Sequence, residues 1–203
     1  MALLPPNRNV RIDGIEIFLQ PLDVTEITDV YLGWNNDDEV NQYISTRRSR
    51  QTSQDIVDYV NNLRSNPPGD VFGIFKKDGR HLGNMSVTDY DPHNGLAGYG
   101  IMVGDRTARL SGLGGEASAL MIEYLFSDPV VRRLQGGAMS DNTGAWRLME
   151  ALGYQREGVL REHSLTRDGV VCDWYLYGLL RREWKANVRV RRIVNRYQVT
   201  ELS

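Results

Sequence analysis

Cysteine is almost missing from this chain. Cys172 is the only one in 203 residues, so no internal disulfide framework can form, and a reducing, cytoplasmic setting is expected. An excess of one charge is missing too. Against 24 Lys and Arg stand 26 Asp and Glu, and that near balance gives no basis for nucleic acid as a partner. No apolar run approaches the roughly 18 residues of a membrane-spanning helix. The opening MALLPPNRNVR lacks a charged leader followed by an apolar core, so no signal peptide is expected. Internal repeats and low-complexity segments are also lacking. What remains is ordinary globular composition, 41% hydrophobic and 25% charged, in one domain long enough to bury a core.

Hydrophobic periodicity and turn residues divide the chain. Val10 to Pro21 alternates as a strand or hairpin with Asp13-Gly14 as its turn. Thr25 to Ile44 has a helical pattern, with Ile27, Val30, Tyr31 and Trp34 on one face, broken by the polar stretch 35–38. Thr52 and Asp55 cap a helix from Ser53 to about Arg64, and Asn66-Pro-Pro-Gly-Asp70 is a loop. Three strands follow, Val71–Lys76, Leu82–Tyr90 and Ala97–Val103, as an antiparallel meander. A helix from about Gly115 to Phe126 buries Leu120, Met121, Tyr124 and Leu125. Arg132–Met139 is a strand, and Asn142 heads a helix stopped by Gly153. Tyr154–Thr166 and Val170–Leu179 close the order as strands. The expected fold is α+β: one mixed, mostly antiparallel sheet flanked by helices. Residues 1–184 read as the domain. Residues 185–203 read as a basic extension whose Lys185, Arg189, Arg191, Arg192 and Arg196 lie among apolar residues, as in an edge strand or partner contact. A homodimer is compatible with that tail.

The densest signal is RLSGLGGEA at 109–117. A nucleotide-binding loop of the Gly-x4-Gly-Lys-Ser/Thr type fails because Glu116 stands where lysine is required. Gly112-x-Gly114-x-x-Ala117 matches a dinucleotide pattern in letters only. That motif needs a parallel strand ending at its first glycine, whereas here about eight residues intervene after an antiparallel meander. A purely structural glycine turn stays open. So does Arg109-x-x-Gly112-x-Gly114, in which bare amides and a helix N-terminus would face a pyrophosphate.

That last pattern resembles the Arg/Gln-x-x-Gly-x-Gly/Ala signature of the GNAT superfamily of N-acetyltransferases. The resemblance runs from about Ile15 to Trp184. It takes in Tyr31-Leu-Gly-Trp-Asn-Asn-Asp37, Leu82-Gly-Asn84, Gly100-Ile-Met-Val-Gly-Asp105, Asn142-Thr-Gly-Ala145, Leu152-Gly-Tyr154 and Glu157-Gly-Val-Leu-Arg-Glu162. It is most similar to the branch holding ribosomal-protein N-terminal acetyltransferases and bacterial amino-sugar acetyltransferases.

The resemblance implies the acyl-CoA N-acyltransferase fold, acetyl-CoA as acyl donor substrate, no metal, and direct transfer to an amine. By analogy a small acceptor, such as an amino sugar on a nucleotide carrier, is preferred over a protein N-terminus. Ile101, Met102 and Val103 match the strand that holds the pantetheine arm. Arg109, Leu110, Ser111, Gly112, Leu113, Gly114 and Gly115 match the pyrophosphate loop, and Asn142 matches a cofactor-contacting asparagine that could equally be an N-cap. Trp34, Asn35 and Asn36 would wall the acceptor, with a core role favoured for Trp34.

Two departures concern protons. Gly98 stands where relatives often carry a glutamate as candidate base, and Met149 where many carry a tyrosine as general acid. With 91–95 as the loop, Tyr90 would pair with Leu96 and Thr88 with Gly98, so that Thr88 and Tyr90 line the acceptor side. His163 and Asp173, on the last two strands, complete the catalytic candidates. Asp173 could instead cap its strand or pair with Arg161, and a lone histidine is usually a surface group. Glu116 reads as a first-turn helix residue rather than a base. Cys172 has no accompanying histidine signature and is discounted as a nucleophile. A catalytically silent acyl-CoA-binding module is the rival reading.

Overall fold

The computed structural model describes residues 9–44, 49–65, 69–109, 111–188, 190, 194 and 197–201. The expected positions Leu110, Asn66-Pro-Pro68, Arg189, Arg191, Arg192 and Arg196 therefore lie outside the described residues.

The chain opens with the hairpin β1 (Val10–Asp13) and β2 (Ile17–Pro21), then the short helices α1 (Asp29–Asn35) and α2 (Asp38–Asn41) and the longer α3 (Ser53–Ser65). Strands β3 (Asp70–Lys76), β4 (His81–Asp91) and β5 (Leu96–Val103) form the meander. Then come α4 (Arg106–Arg109), α5 (Leu113–Ser127), β6 (Arg133–Met139), α6 (Thr143–Leu152), β7 (Gln155–Leu165) and β8 (Val171–Leu180). The last elements are α7 (Arg181–Ala186) and β9 (Gln198–Glu201).

One nine-stranded sheet results, in the order β7-β8-β6-β5-β4-β3-β2-β1-β9. Every neighbouring pair is antiparallel except β5 and β6. This is the mixed, mostly antiparallel α+β sheet expected from the sequence. The tail's last strand, β9, pairs with β1 at one edge.

Alternation along the strands separates two cores. On one face Phe72, Ile74, Met85 and Ala97 pack with α5, whose Leu120, Met121, Tyr124 and Leu125 are fully buried. On the other, Phe18, Val71 and Phe75 pack with Tyr31 of α1 and with Ile56 and Val60 of α3. Helix α5 buries ten of its fifteen residues, so it is the central helix rather than a surface one. Among the described residues, no helix is long and apolar enough to cross a membrane.

Two local expectations are corrected. Val30 is 57% exposed, because α1 starts only at Asp29 with Thr28 as its cap, so Ile27 precedes the helix and only Tyr31 and Asn35 are buried on it. The β4–β5 hairpin pairs Asp91, not Tyr90, with Leu96, while Thr88 still faces Gly98. Asp89 and Tyr90 together oppose Ala97, which is a β-bulge.

Candidate active site

Strands β5 and β6 are bonded only at Leu96–Arg133 and Ala97–Leu134. From Gly98 onward β5 keeps β4 on one side down to Val103, while β6 keeps β8, so a wedge opens between β5 and β6. Backbone groups on the open edge of β5 have lost their sheet partners and can bond a ligand. Ile101, Met102 and Val103 lie in that stretch. Ile101 and Val103 face the α5 core, and Met102 faces the α1–α3 core.

The end of β5 leads to the glycine loop. Gly104 and Asp105 both donate to the Leu82 carbonyl, and the Asp105 carboxylate caps α4 through Ala108 N at 3.0 Å. Gly112 heads α5 with φ of 81°, a conformation that side chains disfavour, and no atom lies within 4 Å of where its Cβ would be. A Cβ on Gly114 would stand 3.3 Å from Val103, so that glycine lets the helix start close to the strand. The first-turn amides of a 15-residue helix thus begin at an open, side-chain-free spot. Ser111, just before it, donates its hydroxyl to the Ala108 carbonyl at 2.9 Å.

Arg109 stands beside the loop. Its Nη1 bonds Glu39 of α2 at 3.0 Å, while Nε and Nη2 are buried with no partner among the described residues. Two unmet cationic donors next to bare amides suit an anionic ligand. Glu116 is otherwise engaged: its Oε1 accepts from Ile15 N and, at 3.0 Å, from Glu16 N, clamping α5 to the first hairpin. Asn142 caps α6, accepting from Ala145 N at 3.1 Å. Met149, one turn short of the helix end, would lie 3.2 Å from a Cβ on Gly136 of β6.

On the α1–α3 face a cavity of about 370 Å³ runs between α1, α3 and the strands β3 to β5. Asn35, Gln51, Asp55, Tyr59, Asn84 and Ser86 belong to its polar lining, with Ile56, Val71 and Met102 among its apolar walls. Asn84 is 5% exposed. Its Oδ1 lies 3.1 Å from His81 Nε2, but its Nδ2 has no partner among the described residues. Such a donor calls for a ligand oxygen. The carboxyl of Asp55 is held below the usual carboxylate range by bonds from the Thr52 amide and then its hydroxyl, so it presents a negative charge at the rim.

The expected acceptor residues separate in this geometry. Asn35 lines the cavity, with its Nδ2 on the Tyr31 carbonyl at 2.8 Å. Asn36 instead clasps residue Gln51, giving to its carbonyl at 2.9 Å and receiving from its amide at 2.8 Å. Trp34 packs over Gly104, where a Cβ would collide with the indole, and lies 5.0 Å from the His81 ring. Its role is packing.

Gly98 begins the open stretch of β5. A Cβ there would meet Gln135 O at 2.9 Å, Asp89 Oδ2 at 3.1 Å and Thr88 Oγ1 at 3.3 Å. Thr88, paired with Gly98, therefore stands at the apex of the wedge. Tyr90 does not. The bulge turns it to the α5 face, where its hydroxyl donates to Asp128 Oδ2 at 2.5 Å. Burial, and then the Asp128 carboxylate, push its pKa up to about 12.

His163 and Asp173 lie on β7 and β8 and do not line the cavity. The His163 Nδ1 is 3.2 Å from Ser164 Oγ, and Asp173 accepts from the Glu162 amide at 2.9 Å rather than pairing with Arg161. Burial raises the pKa of the Cys172 thiol, so it is a poor nucleophile. Sequence reading missed Asn84 and Asp89. Asn84 had been noted only as part of a strand start, and Asp89 reaches Gly98 only through the bulge.

Comparison with known proteins agrees with this architecture. The family model described as an acetyltransferase (GNAT) domain matches residues 16–155. The uncharacterized N-acetyltransferase p20 of Bacillus licheniformis is 28% identical over 162 residues, covering 78% of this chain and 90% of p20. A GNAT-family acetyltransferase of Bacillus anthracis superposes with a TM-score of 0.72 at 19% identity, over 85% of this chain and 99% of that one. The spermidine N-acetyltransferase of Vibrio cholerae, solved with CoA and spermine, gives 0.74 at 14% identity, over 84% and 98%.

Proposed function

Since this chain belongs to the GNAT family and is an acetyltransferase, we propose that it moves the acetyl group of acetyl-CoA to the primary amine of a small molecule. A nucleotide-linked amino sugar is the favoured acceptor, as in the branch it resembles. The observation that carries the reading is the wedge between β5 and β6, which leads at one end to the glycine loop and borders the cavity on the α1–α3 face.

In this reading the open backbone of Ile101, Met102 and Val103 holds the pantetheine arm and polarises the thioester carbonyl. Ser111 to Gly115 and the Arg109 guanidinium receive the pyrophosphate. The unmet donors of Arg109 support that assignment, as does the empty space beside Gly112. A relative of the same fold, crystallised with CoA and spermine, supports the donor and an amine as acceptor. The cavity's volume of about 370 Å³ lies within the range of small-molecule sites. Asn84 Nδ2 would donate to an oxygen of the acceptor, and the Asp55 carboxylate at the rim would draw a cationic acceptor toward the cavity. Residues 1–184 form the catalytic domain, residues 185–203 a basic extension suited to self-association, and the enzyme works in the cytoplasm.

The test is a thermal-shift titration with acetyl-CoA followed by an amine panel of amino sugars, polyamines and short peptides. Stabilisation by acetyl-CoA with turnover of a small amine is expected. Asn84→Leu should raise the acceptor KM about tenfold, the value of one lost hydrogen bond, and leave the acetyl-CoA response alone. Binding without turnover of any amine would instead establish the silent module, to which Gly98 and Met149 give some support. Preference for peptides would move the acceptor to a protein N-terminus.

A further inference from the structure

We propose that Asp89 is the proton acceptor for the amine, supplying from β4 the carboxylate that β5 lacks at Gly98. The inference rests on the transfer reading above. Asp89 has φ of 51°, one of two non-glycine residues at positive φ among the described residues. In bulges of this left-handed kind the first residue is ordinarily glycine, and aspartate is one of the few L residues that enter this region readily. The bulge settles which way this side chain leaves β4, and that direction points to a task for it.

The task can be read from where the carboxylate goes. Its Oδ2 stands 3.1 Å from the place a Cβ on Gly98 would take, the point at which a carboxylate side chain on β5 would begin. Thr88, paired with Gly98, donates its hydroxyl to the same oxygen at 3.2 Å and so orients it. Gly98 is the first β5 residue beyond the last β5–β6 pair. The carboxylate is therefore at the apex of the wedge, and it is exposed enough for a substrate to reach. Replacing Gly98 by a larger residue would fill the space that Asp89 now uses. The glycine and the bulge belong together.

The chemistry balances as follows. A protonated amine gives one proton to Asp89, directly or through one water. The freed nitrogen lone pair forms the N–C bond at the thioester carbonyl, and the C–S bond breaks with its electrons on sulfur. A second proton from nitrogen leaves with the sulfur as the thiol, and Asp89 returns its own proton to water.

The test compares wild type with Asp89→Asn on an accepted primary alkylamine and on its β,β,β-trifluorinated analogue, which is mostly unprotonated at neutral pH. Asparagine tolerates positive φ, so the bulge should persist. If it does not fold, Asp89→Gly serves the same comparison. The expected result is a fall in kcat of about 100- to 10,000-fold for the alkylamine, a far smaller fall for the fluorinated amine, and an unaltered thermal response to acetyl-CoA. Partial recovery by Asp89→Glu would support it further. Equal losses on both amines, or no loss on either, would overturn the assignment. A wild-type protein that binds acetyl-CoA and acetylates no amine would remove the transfer reading and this proposal with it.

Discussion

Gly112→Asp separates a phosphate cradle from a glycine turn with only a structural duty. The fold's share of the cost comes from the backbone: at φ of 81° any Cβ costs about 1–2 kcal/mol. No further clash arises, since nothing lies within 4 Å of the new atom. Gly112→Ala measures that share alone, as a Tm fall of about 2–8 °C for a domain of this size. The binding share comes from charge. A carboxylate about 5 Å from a phosphate opposes each of its charges by about 1–3 kcal/mol, between the dielectric of water and that of a protein surface. Two phosphate charges then weaken binding by at least about 30-fold. At an acetyl-CoA concentration 100 times the wild-type Kd, wild type gains about 2.7 kcal/mol, and Gly112→Asp gains less than about 1 kcal/mol. Differential scanning fluorimetry with and without acetyl-CoA reads both shares in one experiment. A full ligand shift in Gly112→Asp would refute the cradle, whatever the drop in its unliganded Tm.

Two other substitutions probe the sheet around the wedge. Gly98→Ala puts a Cβ 2.9 Å from Gln135 O and 3.1 Å from Asp89 Oδ2, so steady-state kinetics should show a lower kcat at little cost in acetyl-CoA affinity; an unchanged kcat would mean the Asp89 carboxylate is idle. Tyr90→Phe removes the hydroxyl bond to Asp128 and should cost about 1–2 kcal/mol in urea unfolding while leaving kcat unaltered. The sign of its pH dependence follows from a pKa raised from about 10 to about 12: the bond's contribution is complete below pH 10 and fades as pH rises toward 12. Tyr90→Phe should lack that alkaline decline, and a large loss of kcat would return Tyr90 to the reaction.

Most of the sheet could be read from local chemistry, because its turns are written in single residues. Gly153 ends α6 at φ of 98°, with its amide on the Glu150 carbonyl, as a glycine after an amphipathic run implies. The central helix could be read as well, since only Glu116, Ser118, Glu123 and Ser127 interrupt its run of apolar and aromatic residues. Where periodicity misled, the cause was a start point: Ile27 precedes α1, which begins after the Thr28 cap, so the face counted from Ile27 is not the buried one and Val30 lies in solvent. The site divides in the same way. Loop and cap residues at 111–115 and 142 are encoded by backbone needs, and those are local.

Asn84 and Asp89 depend on what lies across the sheet, and sequence order alone does not fix that. Asn84 matters because its amide is buried against a cavity whose other walls come from α1 and α3. Asp89 matters because one extra residue enters β4 between Thr88 and Asp91, which leaves the inner register of β4 and β5 intact and turns one carboxylate toward Gly98. In the strand pattern Thr88-Asp-Tyr-Asp91, period two puts Tyr90 with Thr88 on the acceptor face and Asp89 on the α5 face. The bulge exchanges them. A buried acid would have been costly on the α5 face, whereas a tyrosine there finds Asp128. The same exchange brings a carboxylate to the wedge, so the residue that looked like a missing base on β5 is a consequence of how β4 is bent.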